Sequence, residues 1–182
     1  MKVFSVILFD SIEEQILERI EDLSTFGFFD RKFALEFFTF ISKSLLSRCL
    51  LNDHTSVIEN NYKIHCYNNG ILGIVIITDH EYDQRPIYYK IHKIINRYTI
   101  GDRTILTKNF LLDMQDPAKY DKICKINKNL NETMNVLHES IENILKRGED
   151  LDQLVEKSKD LSICSKEFYR QSKKHNSCCI IN

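Results

Sequence analysis

Apolar and polar residues follow two different periods along this chain, and the change falls near residue 118. Residues 2–9 (KVFSVILF) are dense in β-branched and aromatic side chains and predict a first strand. Residues 13–23 (EEQILERIEDL) leave two readings open: their periodicity is helical, while the short Asp10-Ser11 link suits a hairpin with the first strand. Asp30 is placed to cap a helix running from Arg31 to about Leu51. In it Phe33, Phe37 and Phe40 recur at helical spacing and make one broad apolar face. A short strand at 55–59 precedes the clearest hairpin in the sequence: YKIHCY, then Asn68-Asn69-Gly70, then ILGIVIIT. Asn-Gly between two β-rich runs supplies the positive φ of a tight turn. Arg85-Pro86 opens a further helix, with Pro86 in its first turn and Ile87, Ile91, Ile94, Ile95 and Tyr98 on one face. Residues 101–117 predict a short helix that ends at Pro117. The order of strands, helix, strands, helix is that of a small α+β domain over 1–117.

From Ala118 onward there is no Pro and a single glycine, Gly148, and charged residues are dense. Apolar residues become sparse but regular. Alternating steps of three and four from Ile123 reach Ile126, Leu130, Thr133, Leu137, Ser140, Ile144, Arg147, Leu151, Leu154, Ser158, Leu161, Ser165, Phe168, Ser172 and His175. This is the a/d seam of a coiled coil, and it predicts one long helix over 118–176 that seeks partners. Its expected core layers are Ile123, Ile126, Leu130, Leu137, Ile144, Leu151, Leu154, Leu161 and Phe168.

Arg147 is the misfit on that seam. A guanidinium keeps its charge, and leaving such an ion buried without a partner costs roughly 3–5 kcal/mol. Neighbouring helices that carry glutamine carbonyls at the same layer would satisfy it. A polar layer of this kind fixes register and helix number. Two plainer readings stand beside this one: Arg147 lies at the edge of a loose seam, or the helix packs on its own N-terminal domain.

Composition narrows the function classes. The 25 basic and 26 acidic residues nearly balance, which argues against bulk nucleic-acid binding. No apolar run reaches the roughly 18–20 residues that span a bilayer, and the start MKVFSVILFD suits a strand better than a cleavable signal. The six cysteines form no C-x-x-C pair, so no metal site and no cofactor other than covalent lipid is expected. These features fit a reducing, cytosolic setting. The end of the chain, 177–182, carries Cys178-Cys179-Ile180-Ile181-Asn182. Cys179 fits the C-a-a-X signal for a prenyl group, and Cys178 is a natural second site for a palmitoyl or other lipid. One lipid chain holds a protein marginally and two hold it stably. Asn182 is not among the usual terminal residues, which leaves farnesyl and geranylgeranyl both open.

Together these features resemble one family, the prenylated longin-type R-SNAREs, which are YKT-type relatives of synaptobrevin. The resemblance extends over essentially the whole chain. Residues 137–179 (LHESIENILKRGEDLDQLVEKSKDLSICSKEFYRQSKKHNSCC) resemble the SNARE motif and tail. Residues 24–40 (STFGFFDRKFALEFFTF) and 73–82 (GIVIITDHEY) resemble a longin domain. The resemblance implies a five-stranded antiparallel sheet with helices on both faces, and so favours a strand around 13–20. It implies that Arg147 is the ionic-layer arginine of a bundle with three Q-SNARE helices. It also implies that Phe40 helps line an apolar longin groove able to shield the lipid, although core packing is the plainer role for Phe40. The longin domain is expected to hold the SNARE segment closed in the soluble state. The resemblance adds the SNARE disassembly machinery as a partner, and a place on the cytosolic face of Golgi, endosomal or vacuolar membranes. The segment around 100–117 is shorter than is usual in the family.

Other classes explain less. His54, His65, Cys66, His80 and His92 have no spacing that makes a thiol enzyme, and His65 and Cys66 are strand neighbours that point to opposite faces. A prenylated GTPase lacks its phosphate-cradling glycine loop here. A longin adaptor accounts for neither the seam nor the tail. The closest rival is a regulatory longin module that engages SNAREs without driving fusion.

Overall fold

The computed structural model describes residues 1–59, 61–116 and 150–177, with the backbone of a strand at 136–139. Its N-terminal part holds β1 (Val3–Asp10), β2 (Gln15–Glu21), α1 (Asp30–Leu46), β3 (His54–Glu59), β4 (Tyr62–Asn68), β5 (Leu72–Asp79), α2 (Gln84–Thr99) and α3 (Lys108–Met114). The sheet order is β2-β1-β5-β4-β3, antiparallel throughout. A sixth strand, β6 (Val136–Glu139), joins the β3 edge in parallel. The five antiparallel strands with helices on both faces are the longin fold.

The central strands β1 and β5 are buried on both faces, so they read as continuous apolar runs. Alternation sends their side chains into two cores. Ile7, Phe9, Val75 and Ile77 meet Phe38, Ile41 and Leu45 of α1. Val6, Leu8, Ile74 and Ile76 meet Ile87, Ile91 and Ile94 of α2. The ring of Phe4 packs edge-on against Phe26 and Tyr62, which seals one end of the α1 core.

Residues 15–21 form a strand, because β1 offers them an unpaired edge along Ser5–Asp10. Tertiary pairing outweighs their helical period here. Glu18 then accepts hydrogen bonds from the Ile105 and Leu106 amides, both at 2.9 Å, and ties the 101–107 loop to β2. Gln115 makes a two-way bond with the Val3 backbone, donating at 2.9 Å and accepting at 2.9 Å. The Asn68-Asn69-Gly70 turn forms as expected. Gly70 has φ 89°, Asn68 Oδ1 accepts from the Gly70 amide, and Asn69 Oδ1 accepts from Ile71 and Leu72.

Three helix boundaries differ from expectation. Asp30 is not the cap: Phe29 holds that position without a side-chain bond, and Asp30 lies inside the first turn, where its charge complements the helix dipole. The helix ends at Leu46, short of Leu51, because Asn52 turns with φ 62° and bonds to the Asn68 carbonyl of β4 at 2.7 Å. The α2 helix begins one residue before Arg85, with Asp83 as its cap.

Lys90 of α2 is 2% exposed and pairs with Asp113 of α3 at 2.6 Å, with its ammonium over the Phe110 ring. Removing one partner of such a pair hurts more than removing both. Asp113→Ala is expected to lower unfolding stability by about 3 kcal/mol, and Lys90→Met in that background to recover most of it. Urea melts of the single and double variants check this.

Candidate functional site: the face that holds the C-terminal segment

The C-terminal residues return to the longin domain on its α1 side. Two helices carry them: α4 (Leu151–Lys157) and α5 (Ile163–Ser177). Val155 is fully buried and Leu161 is 6% exposed, and both belong to the core formed by α1 and the sheet. Leu151, Leu154 and Tyr169 pack against the same core. Phe168 stacks on Phe33 of α1 with ring centres 4.9 Å apart and planes within 10°. Tyr169 stacks on Phe37 at 6.0 Å.

Polar contacts fix the arrangement. Glu36 of α1 reaches the N-terminus of α5, where one oxygen accepts from the Ser162 amide at 2.9 Å and from the Ser165 hydroxyl at 2.7 Å. Its negative charge also complements the helix dipole there. Burial raises the Glu36 carboxyl, but the bonds from Ser165 and Ser162 outweigh it and hold the group below its ordinary value. Ser162 Oγ accepts from the Ser165 amide and caps α5 locally. Lys43 pairs with Asp160 at 2.9 Å. Within the segment, Asp152 accepts from Tyr169 at 2.9 Å and from Lys173 at 2.5 Å, which joins α4 to α5. The Lys173 ammonium, with help from the Tyr169 hydroxyl, keeps the Asp152 carboxyl below its usual range against a smaller opposing effect of burial.

Magnitudes separate these effects. Burying a side chain such as Val155 or Leu161 is worth about 1.5–3 kcal/mol each. An exposed ion pair such as Arg170 with Glu156 adds at most about 1 kcal/mol. Apolar burial therefore holds the segment down, and the polar contacts set its register.

Of the expected core layers, Leu151, Leu154, Leu161 and Phe168 all sit at this face, turned toward the N-terminal domain. Over the described residues 150–177 the segment is held as two helices and not one. Helix α4 stops at Ser158, whose backbone is extended and whose hydroxyl accepts from the Asp160 amide, and α5 starts at Ile163. Serine competes for backbone bonds and favours such breaks. The break lets both short helices bury their apolar residues on α1. Leu137 is described by its backbone. It lies in β6, paired with Thr55, because the open β3 edge supplies backbone partners that outweigh the heptad. Ile123, Ile126, Leu130, Ile144, Arg147, Cys178 and Cys179 lie outside the described residues. Phe40 is 4% exposed and belongs to the core that Val155 and Leu161 complete.

Three contributors escape the heptad count. Val155 and Tyr169 are off the seam, and Glu36 acts from the far side of the sequence. An apolar off-seam residue between seam leucines was the one signal available for Val155.

His54, His65 and His92 gather on the opposite side of the sheet. His65 bonds to Ser56 at 2.8 Å and meets Tyr88 of α2, whereas Cys66 lies in the α1 core. The sheet separates the imidazole from the thiol, and burial pushes the Cys66 thiol up, away from the reactive thiolate. His54 packs against Tyr67, Tyr88 and His92, and its buried Nε2 has no hydrogen-bond partner among the described residues.

Comparison with known proteins places this geometry. The synaptobrevin family model matches residues 122–181. The chain is 40% identical over 205 positions to the synaptobrevin homologue YKT6 of Candida glabrata, and both proteins are covered in full. It is 41% identical over 200 positions to that of Saccharomyces cerevisiae, again over the full length of both. It is 38% identical over 180 positions to the VAMP-like protein YKT61 of Arabidopsis thaliana, covering 91% of this chain and 90% of the relative.

Two outcomes are expected. Val155→Asp buries a carboxylate in the α1 core and should release 150–177 while the sheet stays folded. Hydrogen exchange would then show lost amide protection in α4 and α5 and retained protection in β1 and β5. Burial, with the charge of His92 adding to it, lowers His54 to about 4 from an ordinary 6.5. The unfolded chain therefore takes up this proton first. Stability is full above pH 6.5 and falls as pH drops toward 4, by an amount on the order of 3 kcal/mol. His54→Phe should flatten that slope in urea melts between these limits.

Proposed function

This chain belongs to the YKT6-type family of synaptobrevin homologues and is an R-SNARE of vesicle trafficking, and we propose that its longin domain keeps the SNARE segment closed until three Q-SNARE helices capture it. The observation that carries this reading is the placement of Leu151, Leu154, Leu161 and Phe168. The side chains assigned to bundle layers are spent on α1 and its core. They cannot serve both surfaces at once, so closure and bundle formation exclude each other.

In the open state residues 118–176 form one helix of a four-helix bundle. Arg147 provides the ionic layer, with one glutamine from each partner around it. Zippering proceeds from the end near Ile123 toward Cys178 and Cys179 and draws two membranes together. Residues 1–117 act as the longin domain, with Phe40 lining the groove that the segment covers. The tail, 177–182, carries a prenyl group on Cys179 and a palmitoyl or second lipid on Cys178. These lipids place the protein peripherally on the cytosolic face of endomembranes. No cofactor beyond them is required, and the SNARE disassembly machinery recycles the bundle.

The test mixes the purified chain with candidate Q-SNARE helices and follows thermal melting of the product. Wild type should form a four-helix complex slowly. Val155→Asp should assemble faster, because Val155 lies off the seam and its loss opens the closed form without damaging a layer. Arg147→Leu should assemble with poorer selectivity among Q-SNARE sets. Absence of any four-helix complex with wild type would leave the regulatory module as the better account. Mass spectrometry of the C-terminal peptide from cells should find lipid on Cys179.

A further inference from the structure

The loop that enters α1 reads Phe26-Gly27-Phe28-Phe29, and its aromatics divide. Phe26 is anchored in the core against Phe4 and Phe38. Phe28 and Phe29 are 80% and 81% exposed and meet each other edge-on at 5.4 Å. The loop that carries them is tied down. The Asp30 and Arg31 amides both bond to the Gly27 carbonyl, and the Arg31 guanidinium bonds to the Phe26 carbonyl. A side chain at Gly27 would come within 2.7 Å of the Asp30 carboxylate, which would have to swing aside. Two large apolar rings are thus held out in water on a fixed turn.

The direction of α5 gives them a context. Lys43 meets Asp160, Glu36 meets Ser162 and Ser165, and Phe33 meets Phe168, so α5 runs antiparallel to α1. At 1.5 Å per residue, the α5 backbone at Ser177 lies about 13 Å beyond Phe168. The first residue of α1, Asp30, lies only about 5 Å beyond Phe33. The chain therefore leaves α5 at the end of the domain that presents Phe28 and Phe29, and Cys178 and Cys179 follow at once. Exposed Arg31 and Lys32 follow the rings after Asp30, with Lys32 3.9 Å from the Glu36 carboxylate.

We propose that Phe28 and Phe29 form a membrane-inserting pair that enters the same bilayer as the C-terminal lipid. This rests on the reading that the tail is lipidated. A single isoprenoid holds a protein only marginally, and a second apolar element beside it makes the hold stable. Aromatic rings favour the headgroup boundary, and the two cations favour an anionic surface.

The chain has no tryptophan, so Phe28→Trp introduces a sole reporter. Full-length protein carrying Phe28→Trp, with Cys49, Cys124 and exposed Cys164 changed to Ser, is coupled through its terminal cysteines to maleimide lipid in phosphatidylcholine vesicles, with and without phosphatidylserine. Indole emission should shift to the blue and be quenched by brominated acyl chains. Ile100→Trp, at an 84% exposed site beyond α2, should show neither effect. Phe28→Ser with Phe29→Ser should weaken vesicle partition of the prenylated chain by about tenfold. Unshifted emission on coupled vesicles overturns the proposal. So does a blue shift of the prenylated chain before any vesicle is added, which would mean that its own lipid covers the pair. The chemical coupling needs no natural lipid. An unmodified Cys179 in cells would therefore sink the lipidation reading separately.

Discussion

The α1 face of the sheet is completed by side chains that arrive from the far end of the chain. Val155 and Leu161 occupy the same core as Phe40, Ile41 and Leu45, and everything distinctive about this molecule depends on that shared burial. Helices as short as α4 are unstable alone in water, because nucleation costs more than a few hydrogen bonds return. Their existence here is a consequence of docking. The longin domain does not merely sit beside the C-terminal segment; it gives the segment its local structure.

That dependence makes the contact reversible. A few apolar side chains at about 1.5–3 kcal/mol each, less the entropy of ordering the segment, leave a modest net hold. A coiled coil engaging the same leucines over many layers offers more burial. Under the proposed closed state, a hold of this strength would suppress premature assembly and still yield to the correct partners. A ligand shifts such a balance only through its preference for one state; in the proposed function that preference would come from competition for Leu151, Leu154, Leu161 and Phe168, which the structure holds at the α1 face.

Most of the N-terminal fold was legible in the sequence because its local and tertiary preferences agree. The Asn68-Asn69-Gly70 hairpin, the α2 stripe and the buried central strands each carry one unambiguous pattern. The local period alone did not decide where a distant surface supplied backbone partners. Residues 15–21 have helical spacing but lie on the free edge of β1, and Leu137 has heptad spacing but lies on the free edge of β3. At the candidate site the seam told which residues need burial, but not against what. Glu36 could not be found by any count along 118–176, since its partners Ser162 and Ser165 are brought to it by folding alone.

The serines would let one sequence support both the docked arrangement and the proposed bundle. A seam of uninterrupted leucine would favour a continuous helix and would not break at 158–162. Ser158 and Ser165 stand at seam positions where a small residue costs a bundle little. In the closed form the same residues take on work: Ser158 turns the backbone, and Ser165, 5% exposed, gives its hydroxyl to Glu36. The sparseness of the seam, which reads at first as a weak coiled coil, is thus what permits the closed fold. Val155 completes the argument from the other side. Off the seam, it contributes to no bundle layer, and its full burial against α1 gives the closed state an apolar contact that the open state lacks.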